Sequence, residues 1–301
     1  MNSKRLSTSG FILLVAVIIG WGTSWPFLKI ALSEIPPWTF RGLISPVAAL
    51  FIFTVGLFLK QSMRVPKGQW KPLILAAVFN VMIWHIFSAW GIRLLGSGQA
   101  SIIAYTMPLW AVVFSMVFNE ERPTRQRLIG LGIGLIGLAT LTVGELGIYT
   151  VAPLGTIFML ISAISWGAGT AIQKRVNWQM PATALAGWQL LIGGLPITIV
   201  ALFLEHDLWQ PVSQKAIWST LFILVYPIIF CWFAWFRIVK EVPVTVSTVS
   251  MMMVPVLGVY SGHLVLGESI SWREISGLLL VCSALALVLL PTVKFGRSGQ
   301  P

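Results

Sequence analysis

Charged side chains are scarce in this sequence. Of its 301 residues only 10% are charged and 57% are hydrophobic, and the mean hydropathy is +0.88. A soluble globule of this size needs more polar surface than such a composition provides. The composition therefore excludes an ordinary soluble protein and indicates a protein surrounded mostly by lipid.

Cysteine is rarer still, and the motifs of soluble enzymes are missing. Cys231 and Cys282 are the only cysteines, and both fall in apolar runs. They provide neither a disulfide framework nor a metal-binding quartet.

The sequence has no phosphate-binding loop, no dinucleotide fingerprint and no HExxH pair. We therefore predict no metal, no cofactor and no enzymatic activity.

The chain instead contains ten long apolar runs. Each is about 17 to 25 residues, the length that crosses roughly 30 Å of hydrocarbon as a helix. The runs do not alternate with period two, so they predict helices and not a barrel. The predicted spans are residues 11–31, 38–59, 70–92, 98–119, 126–143, 153–172, 182–204, 213–238, 245–266 and 273–291. The predicted fold class is an all-α integral membrane protein.

Basic residues outnumber acidic ones, and the formal net charge is +11. They are scattered between the apolar runs and form no patch with stacking aromatic residues, so no nucleic-acid partner is predicted. When the N-terminus is placed in the cytoplasm, most basic residues fall in cytoplasmic segments, as the positive-inside rule requires. Both termini are therefore predicted to be cytoplasmic.

The second half of the chain repeats the first. "IIGWGTSWPFLK" at residues 18–29 aligns with "AISWGAGTAIQK" at residues 163–174, and further matches follow in the same order. The matched pairs are Trp21 with Trp166, Lys29 with Lys174, Pro108 with Pro255, Glu121 with Glu268, and Gly130 with Gly277. Each copy holds five spans. Because five is odd, the second copy begins on the opposite side of the membrane and is inverted.

These features resemble the ten-helix EamA type of the drug/metabolite transporter superfamily. The residues that carry the resemblance are Trp21, Gly22, Arg41, Pro108, Glu121, Gly130, Trp166, Gly167, Pro255, Glu268 and Gly277. The resemblance covers essentially residues 11–291. It implies ten transmembrane helices in two inverted five-helix repeats, residues 11–143 and 153–291, packed as one membrane domain. It also implies a central cavity lined largely by helices 1, 3, 4, 6, 8 and 9.

The resemblance further implies a transporter of the plasma membrane, in a bacterium the inner membrane, that exports small organic molecules by alternating access. Amino acids and similar amphipathic or aromatic compounds come first as cargo. Multidrug efflux by proton exchange and a structural subunit that transports nothing remain open. The expected partners are the small-molecule substrate and the lipid bilayer. We expect a monomer, with a homodimer as the alternative.

Polar and aromatic side chains at helical spacing are predicted to face protein or water, because exposure to lipid is costly for them. The candidate substrate-binding residues are Trp21, Asn80, Trp84, Tyr105, Trp166, Gln173, Tyr226 and Trp235. The competing interpretation for the aromatic residues is anchoring at the membrane interface or helix packing.

Mirrored residues in the two repeats are candidates for gating. Pro108 and Pro255 lie near mid-span, where each is predicted to remove a hydrogen bond and kink its helix. Glu121 and Glu268 follow the same helices and are candidate inner and outer gates, with interface anchoring as the alternative. A cation near Glu268 is expected to offset its unfavourable position beside a helix C-terminus, and Arg273 is the expected cation.

Three further cations are candidate pathway charges that would attract carboxylates or phosphates. They are Lys29, Arg41 and Lys174. The alternative for the two lysines is snorkelling to the membrane interface.

No Asp or Glu is predicted near the centre of a span, although ion-driven transporters usually place a carboxylate there. A carboxylate proton relay is therefore not expected. His85 is the titratable imidazole that lies well inside a span. It is either a hydrogen-bonded packing residue or a proton carrier.

Overall fold

A computed structural model describes residues 8–118, 124–142, 152–231, 234–235, 238 and 250–289. Ten helices run through these residues, and no strand occurs among them. Their bounds are α1 Thr8–Glu34, α2 Pro37–Phe58, α3 Trp70–Leu94, α4 Ser97–Ala104 continued by Met107–Phe118, α5 Arg125–Thr142, α6 Ala152–Arg175, α7 Ala182–Leu204, α8 Gln214–Phe230, α9 Met253–Leu266 and α10 Trp272–Leu289. Each predicted span corresponds to one helix, which confirms the all-α membrane fold.

Most of these helices are long and apolar enough to cross a bilayer. Seven meet this condition by length and composition, and α8 and α9 are shorter apolar helices. Large apolar side chains cover the outside of the bundle: Phe58 is 83% exposed, Phe203 76% and Leu50 68%. An apolar exterior of this kind would be unfavourable in water and is the surface expected of a protein in the hydrocarbon core of a bilayer.

At one end of the bundle, carboxylates from the ends of helices cap the starts of other helices. Glu34, at the end of α1, accepts hydrogen bonds from the backbone N–H and hydroxyl of Ser213, both 2.6 Å, just before α8. Glu205, after α7, accepts from the backbone N–H of Thr39 at 2.7 Å and from its hydroxyl at 2.8 Å, in the first turn of α2. A negative charge at a helix N-terminus is favourable. We call this the glutamate end, defined by Glu34, Glu205 and Glu268.

The opposite end uses neutral amides for similar contacts. Gln61, after α2, is hydrogen-bonded to the Thr183 hydroxyl in the first turn of α7. Gln69, before α3, donates to the Asn177 carbonyl at 3.0 Å and accepts from the Gln179 backbone N–H at 3.2 Å. We call this the glutamine end, defined by Gln61, Gln69 and Gln179.

These end contacts confirm that the two repeats are inverted. The end of α7 meets the start of α2 through Glu205, and the end of α2 meets the start of α7 through Gln61, so these equivalent helices are antiparallel. The same holds for α5 and α10, because Gln126 near the start of α5 donates to the Leu287 carbonyl near the end of α10 at 2.8 Å. Equivalent helices of an inverted pair must run in opposite directions.

The interior of the bundle follows the same pseudo-symmetry. Helix α1 packs against α8 and α9, and its equivalent α6 packs against α3 and α4. The pairs α2 with α7 and α5 with α10 pack together in the same way.

The glycine of each Trp-Gly pair permits these interior contacts. A Cβ atom at Gly22 would lie 2.5 Å from Leu257 Cβ on α9, and one at Gly167 would lie 2.6 Å from Trp110 Cβ on α4. Any larger residue would push α1 or α6 away from its neighbour. The repeated Trp-Gly motif is therefore a site of close helix packing in both halves.

Candidate substrate site

Four helices of the interior are irregular, at matching places in the two repeats. Helix α3 contains a π-helical segment, Val78–Ile83, and its equivalent α8 contains another, Leu224–Phe230. A π segment carries an extra residue in the turn and leaves main-chain groups without their usual partners, and such segments are frequent at functional sites.

The fourth helix of each repeat is interrupted, at equivalent positions. In α4 the helix stops after Ala104 and resumes at Met107, and in the second repeat a turn at Met252 precedes α9. Pro108 and Pro255 lie in the first turn after each break. The sequence predicts that each proline kinks its helix. In the structure each proline follows an interruption of that helix, a position that suits proline because its ring clashes with the carbonyl four residues earlier and it needs no N–H in a first turn.

One group of the candidate residues lies where α1 meets α8. The Trp21 indole N–H donates to the Pro227 carbonyl, inside the π segment, at 3.0 Å. The Trp21 ring lies 5.6 Å from the Trp235 ring, and the Tyr226 hydroxyl donates to the Ala16 carbonyl at 2.9 Å. All three aromatic side chains are partly buried. The structure thus brings Trp21, Tyr226 and Trp235 together.

A second group lies where α3 and α4 meet α6. The Trp84 and Trp166 rings are 5.2 Å apart, edge to face. Trp84 and Tyr105, the latter at the break in α4, pack against the same hydrophobic core. Tyr226 belongs instead to the first group, where it packs beside Cys231 and Trp21.

The remaining substrate candidates form an amide cluster. The Asn80 side-chain amide donates to Gln189 Oε1 at 3.4 Å, and the Gln173 amide donates to the same oxygen at 3.4 Å. Gln189, on α7, was not among the predicted site residues. An amide side chain inside an otherwise apolar span is the signal in the sequence that could have identified it.

Two other candidates, predicted separately, turn out to be neighbours between α2 and α3. Arg41 is 5% exposed, and its guanidinium donates to the His85 carbonyl at 3.1 Å and to the Ser88 hydroxyl at 3.0 Å. The His85 ring is hydrogen-bonded through Nδ1 to the Ser45 hydroxyl at 2.8 Å. Both side chains are therefore held in one buried polar network.

At the glutamate end, Glu268 ties three helices together. Its carboxylate accepts from the Ser97 N–H at 2.7 Å, the Ser97 hydroxyl at 2.8 Å and the Gly98 N–H at 3.1 Å, at the start of α4. Lys29 Nζ on α1 lies 4.0 Å from Glu268 Oε1 and donates to the Leu95 carbonyl between α3 and α4. These contacts join the ends of α1 and α9 to the start of α4.

The cation beside Glu268 is therefore Lys29, and the expectation that Arg273 would fill this place was wrong. The Arg273 guanidinium instead lies 5.6 Å from the ring centre of Trp272. The chain turns at Gly267, which has a left-handed φ of 70°, so the carboxylate of Glu268 leaves its own helix and reaches the favourable end of α4.

A cavity of about 280 Å³ adjoins Glu268 at this end. It lies between the start of α4 and the α9–α10 connection. Its lining residues are Gly96, Gly98, Gln99, Val259, Glu268, Ser269, Ile270 and Glu274.

The last two candidate residues are Lys174 and Glu121. Lys174 lies in the last turn of α6. Glu121 lies outside the described residues.

Comparison with known proteins decides the family. The model of the EamA-like transporter family matches residues 8–143 and matches again at residues 153–290. The chain belongs to the EamA-like transporter family. As an EamA-like protein it is a multi-pass membrane transporter, and its family and relatives indicate transport and not an enzymatic activity.

Several named proteins resemble this EamA-like chain over nearly their whole length. The uncharacterized transporter YoaV of Bacillus subtilis is 26% identical, with 94% of this chain and 97% of YoaV aligned. A probable amino-acid metabolite efflux pump of Salmonella typhimurium is 27% identical, with 92% and 93% aligned. The uncharacterized inner membrane transporter YedA of Escherichia coli K12 is 25% identical, with 94% and 91% aligned.

A crystal structure shares the fold of this EamA-like chain. The TM-score is 0.66, the sequence identity is 19%, and the match covers 94% of this chain and 98% of the solved one. At 19% sequence identity this similarity shows a shared fold and nothing about the substrate.

Proposed function

We propose that this EamA-like protein exports small organic metabolites by alternating access, with amino acids and similar amphipathic or aromatic compounds as the first cargo class. The observation that carries the proposal is the mirrored irregularity of α3, α4, α8 and α9. Interrupted helices at equivalent places of inverted repeats are where transporters bind substrate near the middle of the membrane. The Salmonella relative named as a probable amino-acid metabolite efflux pump supports this choice of cargo.

The two aromatic groups supply the proposed recognition surface. Trp21 and Trp166 occupy equivalent positions, each beside a second tryptophan ring and an irregular helix segment. Aromatic faces bind apolar or aromatic parts of a substrate, and the indole and phenol groups orient its polar parts. Tyr105, at the break in α4 and packed against the same core as Trp84, is the proposed floor of a shared central cavity.

Glu268 and Lys29 form the proposed outer gate. The carboxylate holds the start of α4, and the ammonium group lies between the Glu268 carboxylate and the Leu95 carbonyl. Opening this end requires these contacts to break. We propose that the pairs α2 with α7 and α5 with α10 form a supporting framework that stays fixed. The contacts between the ends of α2 and α7 then do not need to change.

The glutamine end is the proposed cytoplasmic side. Basic residues cluster there, in the segment before α3 and in the last turn of α6, as the positive-inside rule requires. Both termini would then be cytoplasmic, and the protein would lie in a bacterial inner membrane as a monomer. This orientation makes the closed glutamate end the exit side of an exporter.

A metabolite comparison tests the proposal. Medium from cells that overexpress the chain is compared with medium from deletion cells and from cells that express Trp166→Ala at equal membrane abundance. We expect amino acids or related aromatic metabolites to rise at least several-fold with the wild type and to fall back with Trp166→Ala. An unchanged metabolite profile would favour a structural subunit instead.

A further inference from the structure

The amide of Asn80 is only partly satisfied. Its Oδ1 atom is one of three buried side-chain polar atoms without a hydrogen-bond partner in the described part of the chain, together with Trp25 Nε1 and Thr156 Oγ1. Asn80 is 3% exposed. A buried carbonyl oxygen without a donor has lost its hydrogen bonds to water and has no protein hydrogen bond to replace them. This costs free energy, so native structures rarely leave such an oxygen unpaired.

The surroundings of Asn80 are built to place this amide between three helices. Asn80 lies in the π segment of α3, and its Nδ2 donates across to Gln189 on α7. On α6, a Cβ atom at Gly169 would lie 2.2 Å from Asn80 Oδ1, so the oxygen occupies space that only glycine leaves free. Gln189 Oε1 therefore fixes which way the Asn80 amide points, with its oxygen toward α6.

The cluster lies within the membrane, on the side of the glutamine end. Asn80 is about 15 Å along α3 from Trp70, and Gln189 is about 10 Å along α7 from Ala182, at about 1.5 Å of rise per residue. Both helices start at the glutamine end. Primary amides at such depth are costly unless their groups are paired or meet a polar ligand.

If the three amides served only to hold the helices together, each buried donor would be expected to have its own acceptor and each acceptor a donor. The Asn80, Gln173 and Gln189 amides do not meet this condition. Two donors, Asn80 Nδ2 and Gln173 Nε2, share one acceptor at 3.4 Å each, at the long limit of a hydrogen bond. Meanwhile the oxygen of the same Asn80 amide, Oδ1, has no donor. One oxygen of the cluster is therefore left unpaired, and a ligand with an N–H group would satisfy it.

We propose that Asn80, Gln173 and Gln189 form a binding site for a hydrogen-bond donor group of the substrate, namely a primary ammonium or an amide N–H. Asn80 Oδ1 accepts the substrate hydrogen bond when α6 moves relative to α3. Gln189 is a positioning residue that holds the Asn80 amide in the receptive orientation. The inference rests on the proposed function and adds a chemical requirement to it: a transported compound carries an N–H donor.

Two ligands that differ in the donor group test this site. The probes are L-phenylalanine and 3-phenylpropanoate, which has the same ring and carboxylate but no amino group. Binding of each is measured by calorimetry on the purified full-length protein for the wild type, Asn80→Leu and Gln189→Met. The control is Thr156→Val, which removes another unpaired buried polar atom, on α6 but outside the cluster.

We expect the wild type to bind L-phenylalanine at least tenfold more tightly than 3-phenylpropanoate, because a site that offers a buried acceptor disfavours a ligand without a donor. Asn80→Leu and Gln189→Met should remove most of this preference while 3-phenylpropanoate affinity stays within about twofold. Thr156→Val should keep the wild-type preference.

Variants that bind both compounds with the wild-type ratio would overturn the inference alone. So would variants that weaken both compounds equally, because that result describes a structural cluster. A wild type that binds neither compound would contradict the proposed aromatic amino-acid cargo, and the inference would fail with it. Thermal melting of each variant establishes that it is folded at the temperature of measurement.

Discussion

At the scale of single residues, the charge of Glu268 is placed where it is most favourable. Glutamate just after a helix would face the negative end of that helix dipole. Instead, the left-handed turn at Gly267 carries the Glu268 carboxylate to the start of α4, where it meets two backbone N–H groups, one hydroxyl and the Lys29 ammonium. In the proposed outer gate, the same residue stabilises the closed glutamate end and must be released to open it.

Replacing Glu268 with glutamine should favour the open glutamate end. An amide keeps one acceptor but loses the charge, and charge-assisted hydrogen bonds contribute about 1.5 to 3 kcal/mol each. We expect Val259→Cys, which lines the adjoining cavity, to react at least about threefold faster with a membrane-impermeant maleimide when Glu268→Gln is present. The labelling rate is measured in a background with Cys231 and Cys282 changed to alanine.

The matched control for this change is Glu205→Gln. Glu205 caps α2 in the same way that Glu268 caps α4, but it joins α2 and α7 of the supporting framework. Its change should leave the labelling rate of Val259→Cys as it was. Equal rates with and without Glu268→Gln would remove Glu268 from the proposed gate.

At the scale of helices, the protein divides into two kinds of element. Helices α2 with α7 and α5 with α10 form antiparallel pairs joined at their ends. Helices α1 and α6 instead pack on helices that carry π segments or breaks. Main-chain irregularity is thus placed next to the two Trp-Gly motifs, where bending of one helix changes the surroundings of a tryptophan.

Gly167→Ala should destabilise the protein by forcing α6 away from α4. The added Cβ would lie 2.6 Å from Trp110 Cβ and 2.7 Å from the Ala111 backbone nitrogen, and backbone cannot move aside as a flexible side chain would. Overpacking of this kind costs typically about 1 to 3 kcal/mol in the free energy of unfolding. We expect the melting temperature of purified protein in detergent to fall by several degrees.

Gly132→Ala is the matched control, because Gly132 lies on a face of α5 that no other described helix covers. No atom lies within 4 Å of the position a Cβ would take at Gly132, in α5. Alanine is the better helix former, so this variant should melt at the wild-type temperature or slightly above it. If Gly167→Ala also melted at the wild-type temperature, the close packing inferred for the Trp-Gly motif would be wrong.

At the scale of the whole molecule, the architecture was predictable from the sequence because a segment that crosses the lipid hydrocarbon must be a long apolar helix or part of a closed barrel. Ten apolar runs, an odd number per repeat and matched pairs such as Trp21 with Trp166 were sufficient for the helices and their inversion. Composition and repetition are properties of long segments. A fold prediction that rests on them therefore does not depend on the correct interpretation of any single residue.

The details of the site depend on contacts between distant residues, which the sequence does not display. Nothing local marked Lys29 as the neighbour of Glu268, because the pairing depends on the turn at Gly267. The π segments have no distinct local pattern, and Gln189 belonged to a span with no other reason for selection. Pro108 and Pro255 were recognised, but their consequence depended on whether the helix before them continued.

The last prediction concerns coupling to an ion gradient. Among the described residues, Asp and Glu lie at helix ends or in connections, and His85 is held by Ser45 beside Arg41. We therefore expect L-phenylalanine to equilibrate across proteoliposomes without accumulating, whether or not a pH gradient is imposed. One-for-one proton exchange would instead concentrate it about tenfold per pH unit, since one unit is worth about 1.36 kcal/mol. Gradient-driven accumulation that disappears in His85→Gln would contradict transport down the concentration gradient and would indicate proton exchange through this imidazole.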